Sequence, residues 1–202
     1  MSTLRKAQQA ESTRNELIST ARKLFAERGY ANTSTEEIVQ TAGVTRGALY
    51  HHFKDKQDLF RAVAETVESE LGPRIMANAT FGADAWTFLI EATQTFLDAC
   101  LEPDVHQIIL IDGPSVLGWE GWREIEEKYG LSLVAAGLAS AMNAGFLPRQ
   151  PVMPLARLML AAVNEAGLTI ARSPDQAATR AEVGAALQRL LEGLRTTTNP
   201  NA

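Results

Sequence analysis

Apolar side chains recur every three to four residues along most of the chain, which is the spacing of one face of an α-helix. The first such segment covers residues 13–28, where a capping box at Thr13 and Glu16 predicts the start and Gly29 predicts the end. The polar residues 1–10 before it are predicted to form a disordered arm. The same helical period continues beyond Gly29, so we predict an all-α fold.

Two short helices are predicted next, joined by a glycine turn. Ser34 and Glu37 form a second capping box, which starts a helix that Gly43 ends. The hydroxyl of Thr45 is suited to cap the following helix, which ends near Phe53. This arrangement is typical of a helix-turn-helix.

A longer helix and a helical body are predicted after this pair. The longer helix runs from Asp55 to Leu71, where Gly72 and Pro73 end it. Body helices are predicted at about residues 83–101, 120–144 and 155–171, with a last helix after Ser173. The stretch between the first two of these is also apolar, but Asp112 falls on its apolar side. A buried carboxylate there needs a partner.

The second short helix has an outward face suited to a DNA groove. With successive side chains about 100° apart and Leu49 buried, the residues that face outward are Gly47, Ala48, Tyr50 and His51. The small residues of this patch let the helix axis come close to base edges in the major groove. Arg46 lies at its border, where it either pairs with a guanine edge or only holds a phosphate.

Roles for the neighbouring side chains follow from their chemistry. Ala48 is suited to a thymine methyl group, and the Tyr50 hydroxyl to a phosphate oxygen, although a tyrosine at a helix edge also packs against neighbours. His51 is interpreted as a DNA contact and His52 as structural. Because adjacent side chains diverge by about 100°, these two histidines cannot form the one-face pair of a metal site.

Further phosphate contacts are predicted at helix starts. Lys56 falls in the first turn of the longer helix, where its ammonium and the free amides form a phosphate clamp, and Thr33 and Thr35 do the same one helix earlier. We therefore expect Arg46→Ala to lose discrimination between sequences and Lys56→Ala to weaken all DNA binding equally. The predicted DNA-binding residues are Thr33, Thr35, Thr45, Arg46, Gly47, Ala48, Tyr50, His51 and Lys56.

Residues 29–60 resemble the DNA-binding domain of TetR family transcriptional regulators. The matching positions are Gly29, Tyr30, Thr33, Ile38, Ala42, Gly43, Val44, Gly47, Tyr50, Phe53, Lys56 and Leu59. Thr35 departs from the family, which usually carries an apolar residue there. The resemblance implies an all-helical homodimer with a three-helix DNA-binding head, here residues 1–56, and a body that binds a small effector and dimerises, here residues 57–202. The helix 57–71 connects the two.

Charge agrees with this division of the chain. The whole chain of 202 residues has a net charge of −5, but residues 1–56 carry +3 and the remainder −8. The positive charge is concentrated in the segment that holds the motif, as expected of a DNA-binding head. An apolar content of 46% is enough for a sizeable core. A single cysteine, the lack of a membrane-length apolar run and the lack of a signal peptide pattern predict a cytoplasmic protein.

An enzyme is disfavoured by the residues that chemistry requires. The chain has three histidines, two of them in the motif, and one cysteine, which lies on a core stripe. No glycine-rich phosphate loop is present, and no cofactor or metal is expected. The alternatives that remain are an enzyme with a helical-bundle active site, an activator, and a DNA-binding protein without an effector.

The predicted function is a repressor that a small molecule releases from its operator, with the last two helices forming the dimer interface. The predicted interface residues are Val183, Leu187, Leu190, Leu191 and Leu194, unless these pack only within one chain. An apolar or aromatic effector is predicted, unless its proposed site is ordinary core. The predicted effector-binding residues are Trp86, Leu89, Asp112, Trp119, Trp122, Met142, Asn143 and Asn164.

Overall fold

The computed structural model describes residues 2–78 and 84–195, with side chains from Arg5 onward. Every regular element in these ranges is helical, which confirms the predicted all-α class. The α-helices are α1 (Ser2–Arg28), α2 (Thr35–Thr41), α3 (Arg46–His52), α4 (Lys56–Asn78), α5 (Ala85–Ala99), α6 (Gly113–Glu126), α7 (Ser132–Asn143), α8 (Val152–Ala171) and α9 (Gln176–Glu192). Two π-helical segments, Val105–Asp112 and Glu127–Leu131, precede α6 and α7. Residue 83, the predicted start of the first body helix, lies outside the described residues.

The chain divides into two compact units. Unit 1 comprises Met1–Val67 and Pro103–Trp122, and unit 2 comprises Glu68–Glu102 and Arg123–Ala202. The division falls within α4, and therefore not at the predicted boundary after residue 56. The division into units reflects contacts between helices and does not test which residues bind DNA. The assignment of residues 1–56 to DNA binding therefore stays a prediction.

Unit 1 is built around α1, which packs on α2, α3 and the first π-helical segment. Its fully buried side chains include Leu17, Ala21, Phe25, Ile38, Leu49, Leu59, Phe60 and Val63. Three aromatic rings meet in this core: the centroid of Phe60 lies 5.3 Å from that of Phe25 and 5.2 Å from that of Tyr30. These edge-to-face contacts fix the end of α1 against the first turns of α4.

The predicted start of the first helix is wrong. The helix α1 begins at Ser2, and the Thr13 hydroxyl donates to the Gln9 carbonyl at 2.9 Å instead of capping a new helix. Residues 7–11, which are alanine, glutamine and glutamate, are good helix formers, and no glycine or proline interrupts the chain before Gly29. The predicted arm is therefore helical from Ser2 onward.

The predicted end of the longer helix is also wrong, because α4 continues through Pro73 to Asn78. A proline disfavours the helical conformation of the residue before it, chiefly through a clash with that residue's Cβ and amide. Gly72 has no Cβ, so this clash is reduced, and the helix passes the proline.

Ser34 and Thr45 cap α2 and α3 as predicted, whereas the Glu37 carboxylate, predicted to complete a capping box, pairs with Arg28. The Ser34 hydroxyl accepts from the Glu37 amide at 3.1 Å, and the Thr45 hydroxyl accepts from the Ala48 amide at 3.2 Å. Gly43, with φ of +67°, makes the turn between them. This left-handed conformation is strained for residues with a Cβ. The sequence thus fixes the start and the end of α2 by local chemistry.

Unit 2 is a bundle in which α8 packs against α7 and α9, and α5 packs against all three. The predicted apolar stripe of α5 faces this core, with Trp86, Leu89 and Leu97 buried. Leu187 and Leu191 of α9 are buried in the same apolar cluster. Asp84 caps α5 by accepting from the amides of Trp86 and Thr87, both at 2.9 Å.

Candidate nucleic-acid interface and internal cavity

The orientation of α3 agrees with the helical-wheel prediction. Leu49 is completely buried, whereas Gly47, Tyr50 and His51 are exposed and Ala48 is half-buried. A Cβ on Gly47 would meet only the Thr45 hydroxyl, at 3.9 Å, so this part of the surface is bare. Unit 1 therefore presents a shallow helix face with polar groups on either side.

Arg46 stands at the edge of this face and already has partners. Its guanidinium lies 2.9 Å from a carboxylate oxygen of Glu36 and 5.6 Å above the ring of Tyr50. All three side chains are exposed, so the ion pair is weak and exchangeable. Glu36 was not predicted as a site residue. It pairs with Arg46, whose contact with DNA stays a prediction.

The adjacent histidines differ in environment. Their rings lie 5.2 Å apart in an edge arrangement, with His51 exposed and His52 half-buried next to Phe53. Burial lowers the pKa of His52, and the charges of His51 and Arg14 lower it further. A neutral, packed His52 fits the structural role predicted for it, and the DNA contact of His51 stays a prediction.

Lys56, predicted as a phosphate clamp, points into the turn between α1 and α2. Its ammonium donates to the carbonyls of Tyr30 at 2.7 Å and Thr33 at 2.8 Å, and it lies 3.9 Å from the centroid of the Tyr30 ring. Burial lowers the Lys56 pKa, and the charge of Asp112 partly offsets this. The first residue of α4 thus positions the chain that leads into α2.

The three threonines of the predicted site have different environments. The buried Thr33 hydroxyl bonds to the carbonyls of Gly29 at 2.9 Å and Leu24 at 3.3 Å, so it does not reach a phosphate. Thr35 is half-buried and donates to Glu36, and Thr45 is exposed at the cap of α3. Of these three, Thr35 and Thr45 remain as predicted DNA contacts.

Three of the predicted effector residues belong to unit 1. Asp112 accepts from the Tyr30 amide at 2.7 Å, which supplies the partner that its carboxylate needs. The buried indole of Trp122 donates to the Ile109 carbonyl at 3.1 Å, while Trp119 is largely exposed. None of these three side chains lines the cavity described next.

Unit 2 contains a partly open cavity of about 90 Å³. Leu89 and Asn164, two of the predicted effector residues, line it. Trp86 and Met142 lie instead in the apolar core cluster, and Asn143 is exposed. The other lining residues are Glu68, Leu71, Gly72, Ile75, Phe88, Ala92, Thr93, Phe96, Glu126, Tyr129, Gly130, Leu133, Val134, Gly137, Leu160 and Val163.

Two acidic residues at the cavity were missed by sequence reasoning. Glu68 follows Ala64 and Val67 on the buried face of α4, so helical spacing alone could have predicted that its side chain is buried. Glu126 lies in a run with Glu120, Glu124 and Glu127 that reads as a solvated face. It is buried where the α-helical period changes to the π-helical period of Glu127–Leu131. Such π-helical insertions are frequent at functional sites.

The predicted dimer residues lie on both sides of α9. Leu187 and Leu191 are buried in their own unit, Val183 and Leu194 are partly buried against it, and Leu190 is 54% exposed. On α8, Leu158 is 70% exposed. The outer surfaces of α8 and α9 thus retain large apolar side chains, although α9 buries two of its three leucines in its own unit.

The bare face of α3, its capped N-terminus and the glycine turn before it define a helix-turn-helix protein. Among the described residues, no cluster of three or more potential metal ligands is present, and no helix has the length and apolarity to cross a membrane.

Comparison with known proteins identifies the family. The model for the Tetracyclin repressor-like, C-terminal domain matches residues 86–194, and the model for bacterial regulatory proteins of the tetR family matches residues 17–63. The chain belongs to the TetR family of transcriptional regulators.

Individual relatives match in sequence and in fold. The HTH-type transcriptional regulator AcrR of Shigella flexneri is 36% identical over 51% of this chain and 48% of its own length. The transposon Tn10 TetC protein of Escherichia coli is 30% identical over 59% of this chain and 60% of its own. The chain thus spans about half the length of the curated relatives it matches.

Solved structures match over nearly the whole chain. A TetR-family transcriptional regulator from Pectobacterium atrosepticum is 34% identical, with a TM-score of 0.84 over 94% of this chain and 97% of that one. RolR, solved in complex with resorcinol, is 22% identical, with a TM-score of 0.72 over 91% of this chain and 89% of its own. The second likeness is one of fold alone.

Proposed function

We propose that this protein is a sequence-specific repressor of transcription that a small-molecule effector releases from its operator. The observation that carries the proposal is the outward face of α3, where Gly47 leaves the backbone bare beside Arg46 and Tyr50. Arg46 and Tyr50 are exposed and have groups suited to base edges and phosphates. Membership of the TetR family supports both DNA binding and repression.

The proposed assembly is a homodimer formed by α8 and α9. Exposed Leu158 and Leu190 supply apolar area for such an interface. A homodimer is also typical of TetR family regulators. One seven-residue helix contacts few base pairs. Two linked heads multiply their contacts, so that affinity and specificity reach useful levels only in the dimer.

The proposed effector site is the cavity of unit 2. Glu68, Leu71 and Ile75 of α4 line it, and α4 begins four residues after the end of α3. The RolR complex supports the idea that this fold accepts a small ring compound. An effector that favours a different packing of α4 would shift the population of dimers toward a head spacing that does not fit the operator.

The test compares the gene's own promoter with a scrambled duplex of equal length, titrated over a range of salt concentrations. We expect a preference for the promoter in the native protein and loss of most of that preference in Arg46→Ala, since a good base contact supplies about 1–3 kcal/mol of discrimination. Lys54→Ala removes another exposed cation next to α3 and is the matched control. No preference in the native protein would contradict the proposal.

Transcription in vitro separates repression from the alternatives. A repressor lowers the transcript level and the effector restores it, whereas an activator raises the level. Thermal-shift screening for compounds that also free the protein from DNA would test the effector and separate it from an effector-independent DNA-binding protein. Cytoplasmic localisation and function without a cofactor stay predictions.

A further inference from the structure

We propose that the cavity of unit 2 selects a small organic cation, with its charged group between Glu68 and Glu126 and its apolar body among the surrounding rings and aliphatic side chains. The inference rests on the proposed function only in taking this cavity as the effector site.

Glu126 provides the first observation. Its side chain is 4% exposed, and its Oε2 is a buried oxygen without a hydrogen-bond partner among the described residues. A buried polar atom of this kind costs folding free energy unless something satisfies it. A ligand that donates to this oxygen would remove that cost. The cavity therefore has a built site for a hydrogen-bond donor.

Glu68 provides the second observation, because it brings another carboxyl to the same cavity. Glu68 is 8% exposed, and burial raises its pKa to about 7. Burial raises the pKa of Glu126 to about 8, and the charge of Glu68 contributes to that rise. Two carboxyls at one buried site do not both ionise without a compensating charge. With no cation bound, the two groups would therefore retain protons that a cation could replace.

The surroundings supply no other counter-charge inside the cavity. No lysine, arginine or histidine is among the residues described as lining it. Arg123 lowers the pKa of Glu126, but its guanidinium pairs with Glu127 at 3.4 Å, and the Glu127 charge raises that pKa. Tyr129 also lines the cavity, and its ring lies beneath the Lys128 ammonium. Burial, and then the charge of Glu68, raises the pKa of the nearby Cys100 thiol, on which the charges of Arg180 and Asp98 also act. An anionic ligand would find no counter-charge among the described lining residues.

The rest of the lining favours an apolar body next to the charge. Phe88 and Phe96 are half-buried rings whose faces attract cations, and Leu133, Val134 and Leu160 are aliphatic. At about 90 Å³ the cavity is smaller than the roughly 150 Å³ that holds a benzene ring in an engineered core. A ligand of one ring exceeds this volume, so we expect its binding to displace lining side chains or helices and thereby to couple to their packing.

The experiment uses the full-length protein and compares ligands that differ only in charge. Benzylammonium, benzyl alcohol and benzoate form one series. Naphthylmethylammonium, naphthylmethanol and naphthoate form a second. Dissociation constants are measured by calorimetry between pH 6 and 8.5, where the amines stay protonated. The variants are Glu126→Gln, which keeps the size of the side chain and removes its titration, and Glu124→Gln, which removes an exposed carboxylate of the same helix as a control.

We expect a cation of at least one series to bind at pH 8.5 about tenfold or more tightly than its alcohol. That advantage should shrink by up to about tenfold per pH unit toward pH 6, as each proton released on binding becomes harder to remove. Glu126→Gln should lose the advantage, and Glu124→Gln should keep it. Glu126→Gln that remains folded and still prefers the cation would overturn the proposal, as would equal or tighter binding of the alcohol or the acid, or no binding in either series.

A second readout separates this inference from the proposed function. Release of labelled promoter DNA is followed with each bound compound. If the cation binds without releasing DNA, the ligand class stands and the effector role fails. If a neutral or anionic compound binds and releases DNA, the effector role stands and the ligand class fails.

Discussion

Replacing Lys56 with methionine tests whether this residue positions the DNA-binding unit or binds DNA itself. Methionine keeps most of the aliphatic chain and removes the ammonium, together with its hydrogen bonds to the carbonyls of Tyr30 and Thr33. Each hydrogen bond to a charged group is worth about 1.5–3 kcal/mol when buried. Because Lys56 is only partly buried and water can reach the freed carbonyls, we discount the pair to about 2 kcal/mol in total.

The assay is urea unfolding followed by circular dichroism, at one fixed protomer concentration because dimers gain stability from association. Lys54→Met is the matched control, since Lys54 is exposed two residues away, and it should change stability by less than about 0.5 kcal/mol. DNA titrations over a range of salt concentrations complete the test. Loss of one phosphate contact per head would lower the salt slope by about 0.9 for each head.

For a positioning residue, we expect Lys56→Met to be less stable than Lys54→Met by about 2 kcal/mol and to bind DNA more weakly with an unchanged salt slope. Equal stability of the two variants, with a slope reduced by nearly two in the dimer, would refute the positioning role and restore the phosphate clamp.

Three further predictions concern the pairing of Arg46 at α3, the buried carboxyls of Glu68 and Glu126, and the proposed dimer. Glu36→Gln should raise DNA affinity about two- to fivefold in fluorescence anisotropy, because it frees Arg46 from an exposed ion pair; unchanged affinity would show that the pair does not compete. Protonation of Glu68 and Glu126 should contribute fully to thermal stability below about pH 4.5, and this contribution should be lost as the pH rises through about 7 and 8. The pKa values of Glu68 and Glu126 are raised on folding, so the native state holds protons that the unfolded chain has lost. Glu126→Gln should flatten this decline, and a parallel decline in the variant would contradict the assignment. Leu190→Glu should give monomers in light scattering and lose most DNA affinity, and an intact dimer would move the interface away from this side of α9.

Local chemistry explains why the helix-turn-helix was predictable from the sequence. A serine or threonine hydroxyl that caps a helix acts within three residues, and a glycine with positive φ acts at its own position. The orientation of α3 follows from Leu49 and the helical period alone. Such features need no knowledge of the rest of the fold.

The cavity was harder to predict because distant segments form it. Glu68 and Glu126 are 58 positions apart in the chain and meet only through the packing of unit 2. The π-helical segment after Glu126 shifts the helical period, so a wheel drawn with 3.6 residues per turn misplaces the side chains. Trp119 and Trp122 were predicted to bind the effector because they are large apolar residues of the predicted body. Both belong to unit 1, whereas the cavity lies in unit 2.

The Lys56 ammonium joins the first turn of α4 to the corner between α1 and α2. A displacement of that turn would carry the corner along, and with it Ser34, which caps α2 directly after the corner. In the proposed homodimer, each DNA-binding head would then move as a rigid body. The distance between the two heads would change, while the DNA-binding surface of each head would stay the same. Base preferences within a half-site would be the same with and without the effector, and only the tolerated distance between half-sites would change.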